Sequence, residues 1–395
     1  MKYLVWNECY SAGGADWSLI ELITHWGNPN DEFLVFVNES HKGLPLLKDK
    51  LVNKANLSKY KSPQDISNRI MLRRNIFLDL IRKVFLSVIS MYFIFFKLRK
   101  IIVDTKPGII LINNGGFPGA LSNFLLIISG KLFSKCKIVM IVRNYPPELF
   151  ENSLYVKICS FICNYFLNGV VAVSNSLKDS LAKDARIKPE NLKTIYNGVS
   201  IENKTSNLDG SKYTYTPHSA AIIGALDERK GHEHLFEAWK YVVQEFPEAK
   251  LYVVGSTTNS NYKNLKNQAK RCHIESNIEW VEFTNNVGSI YKVVDVVIVP
   301  SIAYESLGRV AAEALAFKKT VIVNSFGGLK EIIDDPSLGY CLDVKNTTKF
   351  KNAIIKILND DALREKLSEN GHAKYKEKFT SEVMAKKYLE YIISV

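Results

Sequence analysis

The chain has little of what staples, clamps or anchors a protein. Its six cysteines (Cys9, Cys136, Cys159, Cys163, Cys272 and Cys341) form no CxxC pair and sit mostly in apolar surroundings, which points to reduced core thiols rather than disulfides or zinc ligands. No tandem repeat at solenoid periods is visible, and no Ser-His-Asp or Cys-His constellation offers a nucleophile. RNP, zinc-finger and helix-turn-helix patterns are missing, so nucleic acid is not an expected partner in spite of the basic charge. The start, MKYLVWNECYSAGG, carries too short an apolar run for a signal peptide, and cytoplasmic residence is the expectation.

What is present is a globular composition, 47% hydrophobic and 23% charged over 395 residues, enough for two domains with cores of their own. The formal charge of +12 is unevenly spread: residues 1–205 carry 27 Lys+Arg against 16 Asp+Glu and residues 206–395 carry 25 against 24, which is +11 and +1. Much of the excess lies between Arg69 and Lys106, where nine basic residues stand against Asp79 and Asp104 around the apolar run Val84–Phe96. That run is too short to cross a bilayer, which takes about 20 residues. Two readings are open. One is a core helix whose Lys and Arg snorkel outward. The other is a helix lying in an anionic membrane surface, flanked by Arg73, Arg74, Arg82, Lys83, Lys97, Arg99 and Lys100. Two wholly apolar turns with Phe93, Phe95 and Phe96 exceed what one buried face requires and favour the second, a peripheral membrane association through residues 69–106.

Short β-branched runs alternate with helical segments: KYLVW, EFLVFV, GIILIN, KIVMIV, GVVAVS and KTIYN, then SAAIIGAL, AKLYVVG, NIEWVEF, DVVIVPS and KTVIVNS. Such alternation predicts parallel sheets with helices on both faces. The polar stretch Ser200–Ser219 has no apolar periodicity and reads as a linker. The expectation is therefore two doubly wound Rossmann-like domains, 1–205 and 206–378, facing each other across a ligand-binding cleft. The last segment, 379–395, is a capped amphipathic helix with Thr380 or Ser381 at its start.

Within SIAYESLGRVAAEALAFKK, Ser301–Lys319, two glutamates lie eight residues apart. A buried strand ends at Pro300, Glu305 falls in the following loop, and the N–H groups of Ser306 to Arg309 are expected to open the helix as an anion site. Glu313 is about 12 Å further along at about 1.5 Å per residue. Paired glycosidase carboxylates stand only about 5 to 9.5 Å apart. The longer span suits an elongated ligand with hydroxyl groups at both ends and negative charge between, as in a nucleotide sugar.

The stretch PSIAYESLGRVAAEALAFKKTVIVNSFGGLKEII (Pro300–Ile333) resembles the signature of glycosyltransferase family 4, and GGADWSL, VVAVSNSLKDSL, IYNGVSIE and IGALDERKGHEHLFEAW fit the same family in order and spacing. The resemblance covers most of the chain. It implies a GT-B fold, with the last helix crossing back to the first domain, which holds the acceptor. It also implies a retaining glycosyltransferase that moves a hexose-type sugar from a nucleotide diphosphate to an acceptor hydroxyl without cofactor or metal. Lys230, with Arg229, falls where the family neutralises the donor diphosphate. Gly13 and Gly14 open the first helix, where bare backbone can approach a phosphate. Glu305 is expected to accept from sugar hydroxyls, Glu313 from the ribose, and the backbone of Ser306, Leu307 and Gly308 to lie against sugar and phosphate.

Two positions depart from the pattern. Ala225 stands where the family commonly has arginine, leaving Arg229 to supply that charge, and IVRNYPPELF lacks the acceptor-side histidine, leaving Arg143 or Asn144 there. These departures keep two other readings open: a GT-B binding or scaffold subunit with reduced turnover, and a GT-B sugar-nucleotide epimerase. His232 and His234 lack a third ligand nearby and read as solvent-facing residues at a helix start. With the basic first domain, the resemblance implies a carbohydrate or lipid-linked glycan acceptor, made at the inner face of the cytoplasmic membrane as in surface polysaccharide assembly.

Overall fold

The computed structural model describes residues 1–10, 12–62, 76–146, 153–202, 213–258, 260–284, 286–303 and 305–395, and over 76–88 the helix path alone. Arg69, Arg73 and Arg74 lie outside the described residues, as does much of the expected linker. The chain divides into two compact units, Met1–Ile195 with Met384–Val395, and Tyr196–Val383. The break precedes the expected 205/206 because Val199 already belongs with the second unit. Its N–H donates to Phe379 O at 2.9 Å, and its carbonyl accepts from Tyr375 Oη at 3.0 Å.

The first unit is built on seven strands: β1 (Lys2–Asn7), β2 (Glu32–Asn38), β3 (Asn56–Tyr60), β4 (Ile109–Asn114), β5 (Lys137–Val142), β6 (Gly169–Ala172) and β7 (Leu192–Thr194). Their order is β3-β2-β1-β4-β5-β6-β7, and every pairing is parallel. β1, β4 and β5 are buried along nearly their whole length, as strands covered by helices on both faces must be. The last helix, Ser381–Ser394, begins with Thr380 Oγ1 accepting from Val383 N at 3.2 Å. It contributes Met384, Ala385, Tyr388 and Ile392 to this unit's core, the i, i+4, i+8 face of the helix.

The second unit carries β8 (Ser219–Ile223), β9 (Lys250–Val254), β10 (Ile278–Val281), β11 (Val296–Val299), β12 (Thr320–Asn324) and β13 (Tyr340–Leu342), in the order β10-β9-β8-β11-β12-β13, again all parallel. Both units are therefore doubly wound. Strand order reverses between β1 and β4 in one and between β8 and β11 in the other, and the crevice at the carboxyl ends of such a pair is where this architecture binds ligands. β3 and β13 are the two strands that the apolar runs did not announce. Each is a short strand at the edge of its sheet and lacks the buried face that writes a hydrophobic pattern.

The Arg69–Lys106 segment contains the helix Ile76–Thr105. Among its described side chains one stripe, Ile94, Leu98 and Ile102, is buried, while Tyr92, Phe93 and Phe96 are exposed. Among the described residues no helix is long and apolar enough to cross a membrane.

Candidate active site

At the β8/β11 switch point two loops meet. After β8 the chain turns through the short 3-10 helix Glu228–Lys230 into the helix His232–Glu245. The joint is Gly231, with φ at +71°, where a Cβ would sit 2.1 Å from Pro300 O. Glycine is required there on both counts. After β11 the chain runs through Pro300 and Ser301 to Glu305. The backbone of the two loops is tied by Ile302 N donating to Arg229 O at 2.7 Å.

Across this joint Lys230 Nζ lies 2.5 Å from Glu305 Oε2, with side-chain exposures of 15% and 13%. Ser301 Oγ donates to the same carboxylate oxygen at 2.9 Å, and Ser301 is itself held by Asn324 Nδ2 donating to its carbonyl. Arg229 points elsewhere, to Asp227 at 3.0 Å, and both are more than a third exposed. The carboxylate expected for sugar hydroxyls and the ammonium expected for the diphosphate are thus each other's partners.

The loop 305–308 is clamped by the turn at Phe326–Gly328. Gly328 N donates to Glu305 O at 3.0 Å, and a Cβ on Gly328 would meet Ser306 O at 2.2 Å, so only glycine lets the two segments lie this close. Leu307 is buried and Ser306 half-buried. The following helix is Arg309–Ala316, capped by Gly308 in the left-handed region at φ +96°. Its first bonds run from Ala311 N and Ala312 N to Gly308 O, so the helix opens at Gly308–Val310 and not at Ser306–Arg309 as the sequence suggested. Gly308 breaks the helical path that SLGRVAAEALAF implies.

Glu313 is buried on that helix, and each of its oxygens has a partner. Arg309 Nε forms an ion pair with one oxygen at 3.1 Å, and Tyr291 Oη donates to the other at 3.1 Å. Tyr291 stacks on Phe317 with ring centroids 4.9 Å apart, and burial, then the nearby carboxylate, raise its phenol well above the ordinary value. A carboxylate with about four lone-pair sites can still accept further hydroxyls. His232, the first residue of its helix, is buried, not solvent-facing. Burial, with the charge of Lys230 adding, lowers its pKa to about 4. His234 is half-buried.

In the first unit, Gly13 caps the helix Gly14–Thr24 and both glycines are exposed. Gly13 is in extended backbone, and a Cβ there would meet nothing within 4 Å, so the protein's own packing does not demand glycine. Sequence reasoning passed over what fixes this turn. Asp16 Oδ2 accepts from Gly13 N at 3.0 Å, while its other oxygen lies 2.9 Å from Nε2 of the buried His41. An aspartate three residues after the capping glycine was the available signal.

Arg143 and Asn144 part company at the end of β5. Arg143 is buried, its Nε donating to Asn113 Oδ1 at 2.6 Å while Asn113 Nδ2 donates to Asn7 Oδ1 at 2.8 Å. Asn144 is exposed and, with Tyr145, Tyr155 and the Gly115–Gly119 loop, lines a cavity of about 390 Å³. Among the described residues no group of three or more His, Cys, Asp or Glu is placed to hold a metal ion.

Residues 215–374 match the family model for glycosyl transferases group 1. An uncharacterised glycosyltransferase of Methanocaldococcus jannaschii is 28% identical over 247 residues, 60% of this chain and 62% of the relative, so the match spans under two thirds of that relative's length. The capsular polysaccharide biosynthesis glycosyltransferase CapM of Staphylococcus aureus is 22% identical over 302 residues, 73% of this chain and 77% of CapM. Among solved structures, Anabaena HepE in complex with UDP superimposes with a TM-score of 0.79 at 18% identity, covering 100% of both chains. Two parallel doubly wound units of this kind are the GT-B fold, and the part of the chain that matches the glycosyl transferases group 1 model, residues 215–374, lies within the second unit.

Proposed function

We propose that the chain is a retaining glycosyltransferase that transfers a hexose-type sugar from a nucleotide diphosphate to an acceptor hydroxyl. The observation that carries this reading is the Lys230–Glu305 pair at the β8/β11 switch point, beside the helix that bears Glu313. An ammonium and a carboxylate that are mostly buried and satisfied by one another can exchange partners. A diphosphate brings more negative charge than Glu305, takes over Lys230 and Arg229, and releases the carboxylate to accept from sugar hydroxyls. As the glycosidic bond breaks, charge grows on the departing diphosphate, where Lys230 is held to meet it. The backbone of Ser306, Leu307 and Gly308 lies against sugar and phosphate, Glu313 holds the ribose, and Gly13 and Gly14 leave bare backbone for the donor. Asn144, at the cavity, is the acceptor-side contact, next to the buried Arg143. The leaving diphosphate takes the acceptor proton, so the protein supplies position and electrostatics and no metal.

The acceptor is a carbohydrate or lipid-linked glycan of surface polysaccharide assembly at the inner face of the cytoplasmic membrane, approached through the exposed aromatic side of Ile76–Thr105. The capsular relative and the basic first domain support this. Release of nucleoside diphosphate from a panel of nucleotide sugars, with and without membrane extract, tests it. Release that requires the extract is expected. Conversion of the donor without any acceptor would make the chain an epimerase, and binding without release would make it a scaffold subunit.

A further inference from the structure

Large exposed hydrophobic side chains are not spread over the chain. Of the sixteen among the described residues, fourteen lie in the first unit and two, Tyr215 and Phe283, in the second. Six of the fourteen belong to one helix, Leu154–Phe166, whose sequence LYVKICSFICNYF contains no acid. Leu154, Ile158, Phe161 and Tyr165 are between 50% and 72% exposed and follow the 4-3-4 spacing of a single helical face. The opposite face, Val156, Cys159, Ser160 and Cys163, is buried. The helix Leu121–Phe133 packs against both this helix and Ile76–Thr105, joined by ring contacts of Phe124 with Tyr155 at 6.4 Å and Phe133 with Phe95 at 5.8 Å. The three helices are therefore neighbours, the middle one in contact with both others.

The charge around these exposed side chains says what covers them. Across residues 89–106, 121–135 and 154–166 there are seven exposed Lys and Arg against the single acid Asp104. Lys157 stands within the apolar stripe, and Lys188 Nζ lies 4.9 Å over the ring of Tyr165. A second copy of the chain in a two-fold contact would set this basic patch against itself. A bilayer with anionic head groups offers apolar depth and negative charge together.

We infer that the Leu154–Tyr165 face is a second lipid-docking element, seated in an anionic bilayer surface alongside the Ile76–Thr105 helix. This rests on the membrane-surface reading of that neighbouring helix and extends it to residues far along the chain. Tyr155, on the first turn, also lines the Gly115–Tyr145 cavity, so docking through this face brings the cavity mouth to the interface, where a membrane-held acceptor presents its head group.

The test is flotation of the full chain with phosphatidylglycerol–phosphatidylcholine vesicles and with phosphatidylcholine alone. The parent should float with the anionic vesicles and be released by salt, since attraction is screened over about 8 Å at physiological ionic strength. Ile158→Ser with Phe161→Ser should weaken binding about tenfold or more, with circular dichroism unchanged because neither side chain belongs to the buried core. Equal flotation of parent and double variant overturns the inference, and so does equal parent binding to both vesicle types. Self-association of the parent that the double variant abolishes, without change in vesicle binding, also overturns it in favour of a protein interface. Phe93→Ser with Phe96→Ser keeps the two readings apart: loss with this pair alone leaves the neighbouring helix as the anchor and rejects the Leu154–Tyr165 face. Calorimetric binding of nucleoside diphosphate in solution reports the donor site independently of either.

Discussion

At the switch point of the second unit, Lys230 and Glu305 meet as full charges in a crevice that still admits water. At that of the first unit the side chains of Asn7, Asn113 and Arg143 are joined end to end and nearly shut away from solvent, with Asp16 and His41 likewise buried beside the first helix. The frames are alike, and the difference lies in what can change partners. An ion pair whose ends still reach the crevice can trade one anion for another, whereas a fully buried amide chain can be broken only by stranding polar groups. We therefore assign the charge-handling chemistry to the second unit and positioning to the first.

The comparison breaks most visibly at Lys230. Lys230→Ala should lower kcat by about 10² or more, the scale of removing one transition-state electrostatic contact; unchanged kcat/KM would transfer the chemistry elsewhere. Next in size is an acid sensitivity of the second unit. His232 is held near pKa 4 by burial against about 6.5 when unfolded. The unfolded chain therefore binds a proton that the folded chain refuses between those values. Stability from this residue is complete above about pH 6.5 and falls as pH drops towards about 4, by up to about 3 kcal/mol at 1.36 kcal/mol per unit. Urea melts of parent and His232→Phe across that range check it. Parallel pH profiles of the two proteins would remove His232 as the cause.

How much of this was legible in the sequence follows from which contacts are local. β-branched runs announced the buried strands because burial on both faces writes itself into composition, and the edge strands β3 and β13 escaped because it does not. Glu305 in its loop and Glu313 on its helix were readable from strand, turn and helix signals. The Lys230–Glu305 bond was not, since it joins residues 75 positions apart that only the β8–β11 adjacency brings together. The helix start was misplaced because Gly308 takes a left-handed conformation that propensity cannot see. His232 looked exposed beside charged neighbours although it points inward. The apolar stripe at Leu154–Tyr165 hid in a segment whose other face is equally apolar, so that only burial separates core from surface.

Smaller effects sharpen the division within the second unit. Glu313→Gln should weaken binding of nucleoside diphosphate by about 2 kcal/mol, the scale of a lost charged hydrogen bond. Calorimetry giving equal affinities would end its ribose role. Glu305→Gln should act in the opposite direction on the same measurement. Neutralising the competitor for Lys230 makes the diphosphate bind tighter, by roughly threefold to tenfold, or about 1 kcal/mol, while turnover falls for want of a sugar contact. Weaker binding by this variant would mean that Glu305 and Lys230 do not exchange partners.

The smallest expected effect is none at all, and it bears on the same contrast. If the second unit meets the diphosphate with its own cations, a divalent ion has no charge left to neutralise there. Lys230 and Arg229 come from one turn, and the helix beginning at Gly308 adds oriented N–H groups. The acids nearby are already committed, Asp227 to Arg229, Glu305 to Lys230 and Glu313 to Arg309. A metal competing for them would have to displace a cation from each and give up part of its own hydration. Donor turnover should therefore be the same in excess EDTA as in Mg²⁺ or Mn²⁺, measured at a fixed ionic strength so that screening is held constant. Complete loss on chelation with recovery on adding Mn²⁺ would show that the diphosphate is not held by Lys230 and Arg229 alone, and the partner exchange at Glu305 would fall with it.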